Sequence, residues 1–235
     1  GFPRHPTPDG FTPHLIVGKC RNVPTMAVVG HHHMGEGKGL LPCILPAALA
    51  WKLGARHHIF VDSGISLCNE LKIGRWMILA DYINGYAFSP TDGCHQLLKT
   101  AYTDMTETFS QQQNSELINS LANTGIIPRI GTYMARPGFH TATTAETIIA
   151  QKNGANMIGH DLVLESMFAH ALGATVSAFA LATAQWQPNN SQPYSRQEAL
   201  EICNMCSRDF IRGIVKGIEA ITQTCHKKTA LPESQ

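Results

Sequence analysis

The stretch Val61-Asp-Ser-Gly-Ile-Ser-Leu-Cys-Asn-Glu-Leu-Lys-Ile-Gly74, followed by Trp76-Met-Ile-Leu-Ala-Asp-Tyr-Ile-Asn84, decides the fold. It starts at the end of an apolar run, His58 to Val61, passes through small and polar residues suited to a loop, turns at Gly74 and resumes as a second apolar run, Trp76 to Asp81. Outward from it, His14 to Val17 and Thr25 to Gly30 read as earlier strands, with Leu45 to Leu53 helical before His58. Downstream, Arg129 to Met134 and Thr175 to Leu181 read as strands. Asn114 to Ala122, Thr143 to Lys152, Glu165 to Leu172 and Arg196 to Ile221 read as helices. Strands alternating with helices imply an α/β domain with a mixed, largely parallel sheet, and residues 1–235 are expected to form one unit. The turn-rich, polar stretch Gln187 to Ser195 suits a loop near a site.

Composition narrows the partners. A net charge of +1 and no basic run longer than Lys227-Lys228 argue against nucleic acid or an anionic membrane surface, so a small molecule is expected. The longest apolar runs, Leu40 to Trp51 and Val176 to Ala184, fall short of the ~20 residues that span a bilayer. Charged residues are only 15% of the chain against 43% hydrophobic, which suggests that partner subunits cover part of the surface. Seven scattered cysteines point to reduced thiols and a cytoplasmic setting. The Cys203 and Cys206 pair lacks a second pair and reads as ordinary thiols. The chain opens on Gly1 with no signal pattern, which leaves open a processed chain, a truncated one or one preceded by further residues.

The quoted segment resembles the strand, small-residue loop, glycine turn and second strand of the trimeric purine nucleoside phosphorylases and methylthioadenosine phosphorylases. Other stretches agree in order: Phe2-Pro-Arg and Ile16-Val-Gly18 with early strands, and His31 to Gly37 with a His and Glu-Gly segment. Gly131-Thr-Tyr with Arg136-Pro-Gly-Phe-His-Thr141 resembles the purine loop, Gly154 to Gly159 through Glu165 the sugar-binding turn, and Phe179-Ala-Leu-Ala-Thr183 the last core strand. The resemblance implies a three-layer α/β/α sandwich around a mixed, largely parallel sheet with a distorted barrel. It also implies a homotrimer, in which Tyr102 stands where one subunit lends an aromatic residue to its neighbour's pocket.

Phosphorolysis of an N-glycosidic bond needs donors for phosphate, a pocket for an oxocarbenium-like sugar and a hydrogen bond to the departing base. By the resemblance, the family's glycine-rich phosphate loop would precede the first aligned residue. The phosphate arginine is replaced by His31 and one histidine by Phe11, while His33 stands at a second histidine position. In the register of the methylthioadenosine type, His31 is itself the phosphate-side histidine. A histidine cannot make the bidentate fork of an arginine, so phosphate binding is expected to be weakened. At the base positions stand His140 and Ala184, with Trp186 where a further aspartate would sit. A lost leaving-group donor at 184 costs roughly 2.7–4 kcal/mol of barrier by analogy with single oxyanion donors. Phe139 keeps the stacking aromatic, Glu36 a family glutamate and Ser63 a place in the small-residue segment, while His160 and Asp161 follow the sugar turn.

Plainer readings stand beside these. His31-His32-His33 could be a metal site or a tag remnant. Side chains on a strand alternate, so only two of the three converge, and with no further donor at helical spacing no metal is expected. His140 is either a general acid or a structural loop histidine, Asp161 paired with His160 would cap the following helix, and Trp186 suits a pocket or an interface. The preferred expectation is a remodelled enzyme without cofactor. It would use His33, His140 or His160 to promote isomerisation, cyclisation or elimination of a less polar molecule, with Phe11, His31, Glu36, Ser63, Tyr102, Phe139, Asp161, Ala184 and Trp186 lining the pocket. The alternatives are an active nucleoside phosphorylase or nucleosidase, with phosphate as co-substrate, and a non-catalytic storage or binding protein.

Overall fold

The computed structural model describes residues 14–94, 96–98, 102–187 and 194–229, with side chains given as far as residue 223. Phe2-Pro-Arg, Phe11 and most of the 187–195 loop lie outside the described residues. Among the described residues seven strands and five α-helices follow in the order β1 (His14–Cys20), β2 (Val23–Val29), α1 (Leu41–Lys52), β3 (His57–Ser66), β4 (Trp76–Asn84), α2 (Gln111–Ala122), β5 (Arg129–Ala135), α3 (Thr144–Lys152), β6 (Met157–Gly159), α4 (Val163–Ala171), β7 (Thr175–Gln185) and α5 (Arg196–Thr229).

The sheet is mixed and closes on itself in the order β3-β6-β5-β4-β7. Its parallel pairings are β3 with β7, β4 with β5 and β5 with β6, and its antiparallel ones β3 with β6 and β4 with β7. The α/β fold with a largely parallel sheet is therefore as expected. β7 shows why its sequence is an unbroken apolar run. Ala178, Ala180 and Ala182 point into the barrel beside Met77, Leu79 and Tyr133. Phe179 and Leu181 point outward with Trp76 and Ile78 onto Leu117 and Leu121 of α2 and Phe210 of α5. Both faces of the strand are buried, so alternation appears in size rather than polarity. The Trp76 and Phe210 rings stack with centroids 3.7 Å apart. β1 and β2 form a separate antiparallel hairpin, tied to α5 by Arg21 and Glu219 at 3.2 Å.

Three local expectations are corrected. Residues 62–66 continue β3 instead of forming a loop, because they keep their ladder with β7 through a register shift at Gly64/Ile65. α1 starts four residues earlier than expected, since Pro42 falls in the first turn, where a missing N–H costs little. Asp161 does not cap α4: the capping position is Leu162, which lacks a side-chain cap bond and holds φ 71 and ψ −45. With the Val163 N–H donating to the Asp161 carbonyl at 2.9 Å, Leu162 is the centre of a γ-turn of the rare, strained hand. That turn aims the Asp161 side chain away from the helix it precedes.

Candidate active site

After Gly30, which leaves β2 at φ 71, His31 and His33 bring their rings to 4.8 Å of one another while His32 turns to Glu36. What they meet comes from the far end of the barrel. His31 Nε2 lies 2.9 Å from Glu165 Oε1 and 3.9 Å from Asp161 Oδ1, and His33 Nδ1 lies 2.8 Å from Asp161 Oδ2. The sequence offers no further donor at helical spacing from the histidines; Asp161 reaches them from more than a hundred residues downstream, at a position no local spacing reveals. Asp161 and Glu165 themselves sit four residues apart across the start of α4, a same-face spacing that the sequence does display.

The electrostatics follow from this crowding. Burial alone would lower the pKa of His31, but the hydrogen bond and charge of Glu165, with Asp161 and Asp62, hold it at about 9. Burial, and then the Asp161 charge, push Asp62 up to about 7, against the Ser63 backbone N–H and the Tyr133 hydroxyl, which donates to Asp62 Oδ2 at 3.1 Å. Asp161 stays below the ordinary carboxylate range despite its desolvation, because His33 bonds to it and His31 adds charge. Three carboxylates thus face two imidazoles. Burial pushes the neighbouring Cys43 thiol up to about 12, which removes it as a nucleophile.

Around this cluster stand groups that position it. Glu36 accepts from the His33 backbone N–H at 3.0 Å and lies 2.7 Å from His32 Nδ1 and 2.9 Å from Lys38 Nζ. Against its desolvation, these bonds bring its carboxyl down to about 2. Glu36 therefore clasps the histidine turn. His160 donates Nδ1–H to the Arg136 carbonyl at 3.1 Å, and burial keeps it neutral, leaving Nε2 for another partner. The Tyr86 hydroxyl donates to the His160 carbonyl at 2.6 Å.

The remaining expected residues divide. Phe139, half-exposed, sets its ring edge-on to His33 at 5.6 Å and so joins the cluster. Ser63 contributes its backbone N–H to Asp62. His140 is exposed and engages Arg136, whose Nη2 lies 3.1 Å from its Nε2, and Arg136 also pairs with Glu146 at 2.8 Å. Ala184 lies opposite Ile65 at the end of the barrel. Trp186 packs against the apolar group of Leu67, Ala155 and Ile158. Tyr102 is 94% exposed and Phe11 lies outside the described residues. Sequence reasoning missed Asp62, Tyr133, Tyr86, Arg136 and the partnership of Glu165. The one visible sign was Asp62, a carboxylate set directly after an apolar strand run.

Gly35 lets Phe139 approach: a Cβ there would lie 2.7 Å from the ring's Cδ2 and Cε2. Because a half-exposed ring can swing away, Gly35→Ala is expected to change thermal stability by less than about 1 kcal/mol while raising the KM for an aromatic substrate several-fold. Melting curves and steady-state kinetics on the variant check this.

The chain matches the family described as the phosphorylase superfamily over residues 7–217. A purine nucleoside phosphorylase of Mycobacterium leprae is 26% identical over 196 residues, 83% of this chain and 69% of its own length. Purine nucleoside phosphorylase 1 of Geobacillus stearothermophilus is 25% identical over 214 residues, covering 90% and 77%. Among solved structures, the Schistosoma mansoni purine nucleoside phosphorylase in complex with inosine superposes with a TM-score of 0.80 at 20% identity, over 96% of this chain and 79% of the other.

Proposed function

Because the chain belongs to the phosphorylase superfamily and is an enzyme, we propose that it cleaves the N-glycosidic bond of a purine nucleoside with inorganic phosphate as acceptor. The observation that carries the reading is convergence: His31, His33, Phe139, His160 and Asp161 occupy positions where the family resemblance expects phosphate, base and sugar contacts, and they meet in one place. The expectation of non-phosphorolytic chemistry on a less polar molecule is corrected. The relatives are named purine nucleoside phosphorylases, and the pocket is crowded with charge rather than depleted of it, with Asp62, Asp161 and Glu165 facing two histidines.

In this reading Phe139 lies against the base and His33 meets the ribose end of phosphate. His160 Nε2 accepts from a sugar hydroxyl, since its Nδ1–H is spent on Arg136. The Asp161 and Glu165 carboxylates favour positive charge as it develops on the ribose ring. A homotrimer, with Tyr102 reaching a neighbour's pocket, belongs to the same proposal. Among the described residues no helix is long and apolar enough to cross a membrane.

The test is incubation of the purified protein with inosine, adenosine and methylthioadenosine, with and without phosphate. Phosphate-dependent release of free base and ribose 1-phosphate is expected. A correctly folded protein that releases no base from any of the three, with divalent metal present or absent, sinks the proposal. Phosphate-independent release makes it a nucleosidase instead.

A further inference from the structure

The geometry points to a divalent-cation site formed by His31, His33 and Asp161, at which a first-row ion of the zinc type binds and takes phosphate as a further ligand. The site stands on its own donors; its use for phosphate rests on the function proposed above.

One ligand atom from each of the three side chains lies within 4.8 Å of the other two, and they form the sole such group among the described residues. His33 Nδ1 lies 2.8 Å from Asp161 Oδ2 and His31 Nε2 lies 3.9 Å from the other oxygen, Oδ1, so the carboxylate faces both imidazoles at separations near the about 3.3 Å between donors around a tetrahedral ion with bonds of about 2.0–2.1 Å. Movements of about 1 Å or less would centre an ion among them. Two imidazoles with one carboxylate suit zinc, cobalt or iron, and do not suit calcium or magnesium, which take oxygen shells.

The backbone holds these donors in place before any ion arrives. The His31 and His33 rings lie 4.8 Å apart, Glu36 fixes the second of them through its backbone N–H, and Asp161, set before the strained turn at Leu162, faces both. Glu165 is not in the mutually close group; it bonds the same His31 Nε2 that would ligate, so the ion displaces that bond and the imidazole proton, and Glu165 stays beside the site. Entry is open, since the three side chains keep 26, 17 and 14% of their exposure.

The electrostatic reason is specific to this chain. By the family resemblance an arginine would stand at His31, where the oxyanion is gripped. Here Asp161, Glu165 and Asp62 line the same spot, and their carboxylates compete with a phosphate dianion for the His31 imidazolium. A bound dication offsets two of those charges and gives the phosphate oxygen a ligand position.

The experiment uses the full chain, stripped of metal by chelator and dialysed. Titration with Co2+ is expected to give one equivalent per chain with visible bands of a four- or five-coordinate ion, displaced one-for-one by Zn2+. X-ray absorption on the zinc-loaded wild type should show two imidazoles and no sulfur. His33→Ala and Asp161→Asn, checked for fold by circular dichroism, should each weaken binding by at least about 100-fold. The site is overturned if the wild type takes up no ion at millimolar Co2+, if sulfur ligates, or if both folded variants bind as the wild type does. The wild-type spectrum decides even if the variants do not fold. Inorganic phosphate should then bind the zinc-loaded protein at least ten-fold more tightly than the stripped one, and equal binding overturns the phosphate role. Metal and phosphate binding without base release from any nucleoside would leave this site standing and sink only the proposed reaction.

Discussion

Asp161→Asn should lower kcat/KM for phosphate-dependent cleavage of a nucleoside on the order of 10²–10³-fold, the scale of losing one preorganised charged group from a water-poor site. Asp161 touches both histidines, at 2.8 and 3.9 Å, so the substitution keeps the volume and removes the charge that holds them together. The amide nitrogen would face an imidazole while the Glu165 and His31 contact at 2.9 Å persists. Stability should fall by about 3 kcal/mol, the low end for breaking a partly desolvated ion pair from one side. Steady-state kinetics and denaturant melts on the same preparation separate the two effects. Activity within ten-fold of wild type in a folded variant would remove Asp161 from the chemistry.

Gly159→Ala should be the most destabilising single methyl in the site. A Cβ at 159 would collide with the Tyr133 hydroxyl, stand 2.8 Å from Tyr133 Cζ and come within 3.1 Å of the Ser63 carbonyl. Tyr133 is fully buried, and β5 and β3, which carry the obstructing atoms, both pair with β6. No neighbour can step aside cheaply, so a cost of about 3 kcal/mol is expected, at the upper end for overpacking. For a chain of this length that lowers the melting temperature by roughly 6–12 °C. The same collision would pull the Tyr133 hydroxyl off Asp62. A Gly159→Ala, Tyr133→Phe double variant should recover part of the loss, because the hydroxyl that clashes is gone. A double variant no more stable than Gly159→Ala alone would mean that the ring carbon at 2.8 Å and the Ser63 carbonyl, not the hydroxyl, set the limit.

Much of the fold was legible because burial leaves a local record. The apolar runs 58–61, 76–81 and 175–181 fall inside strands, and the helices at 114–122, 143–152 and 196–221 start within three residues of where they are expected. The exceptions are also local in origin. Asp62 to Ser66 look like loop residues but hold a strand, because in a closed barrel one ladder continues past small residues that pack against Met157. Leu162 gave no sign of its left-handed conformation, since nothing about a leucine announces φ 71.

The sequence by itself determined the α/β architecture, the family resemblance and which positions bear unusual side chains, since periodicity and residue type act over a few neighbours. It also placed His31 and His33 on one face. Only the tertiary structure decided what those side chains do. Barrel closure and the Leu162 turn bring Asp161 and Glu165 onto histidines more than a hundred residues earlier, while local turns set Glu36 against the His33 backbone and His140 against Arg136. Charge acts through space at a few ångströms, and chain spacing carries no measure of that distance.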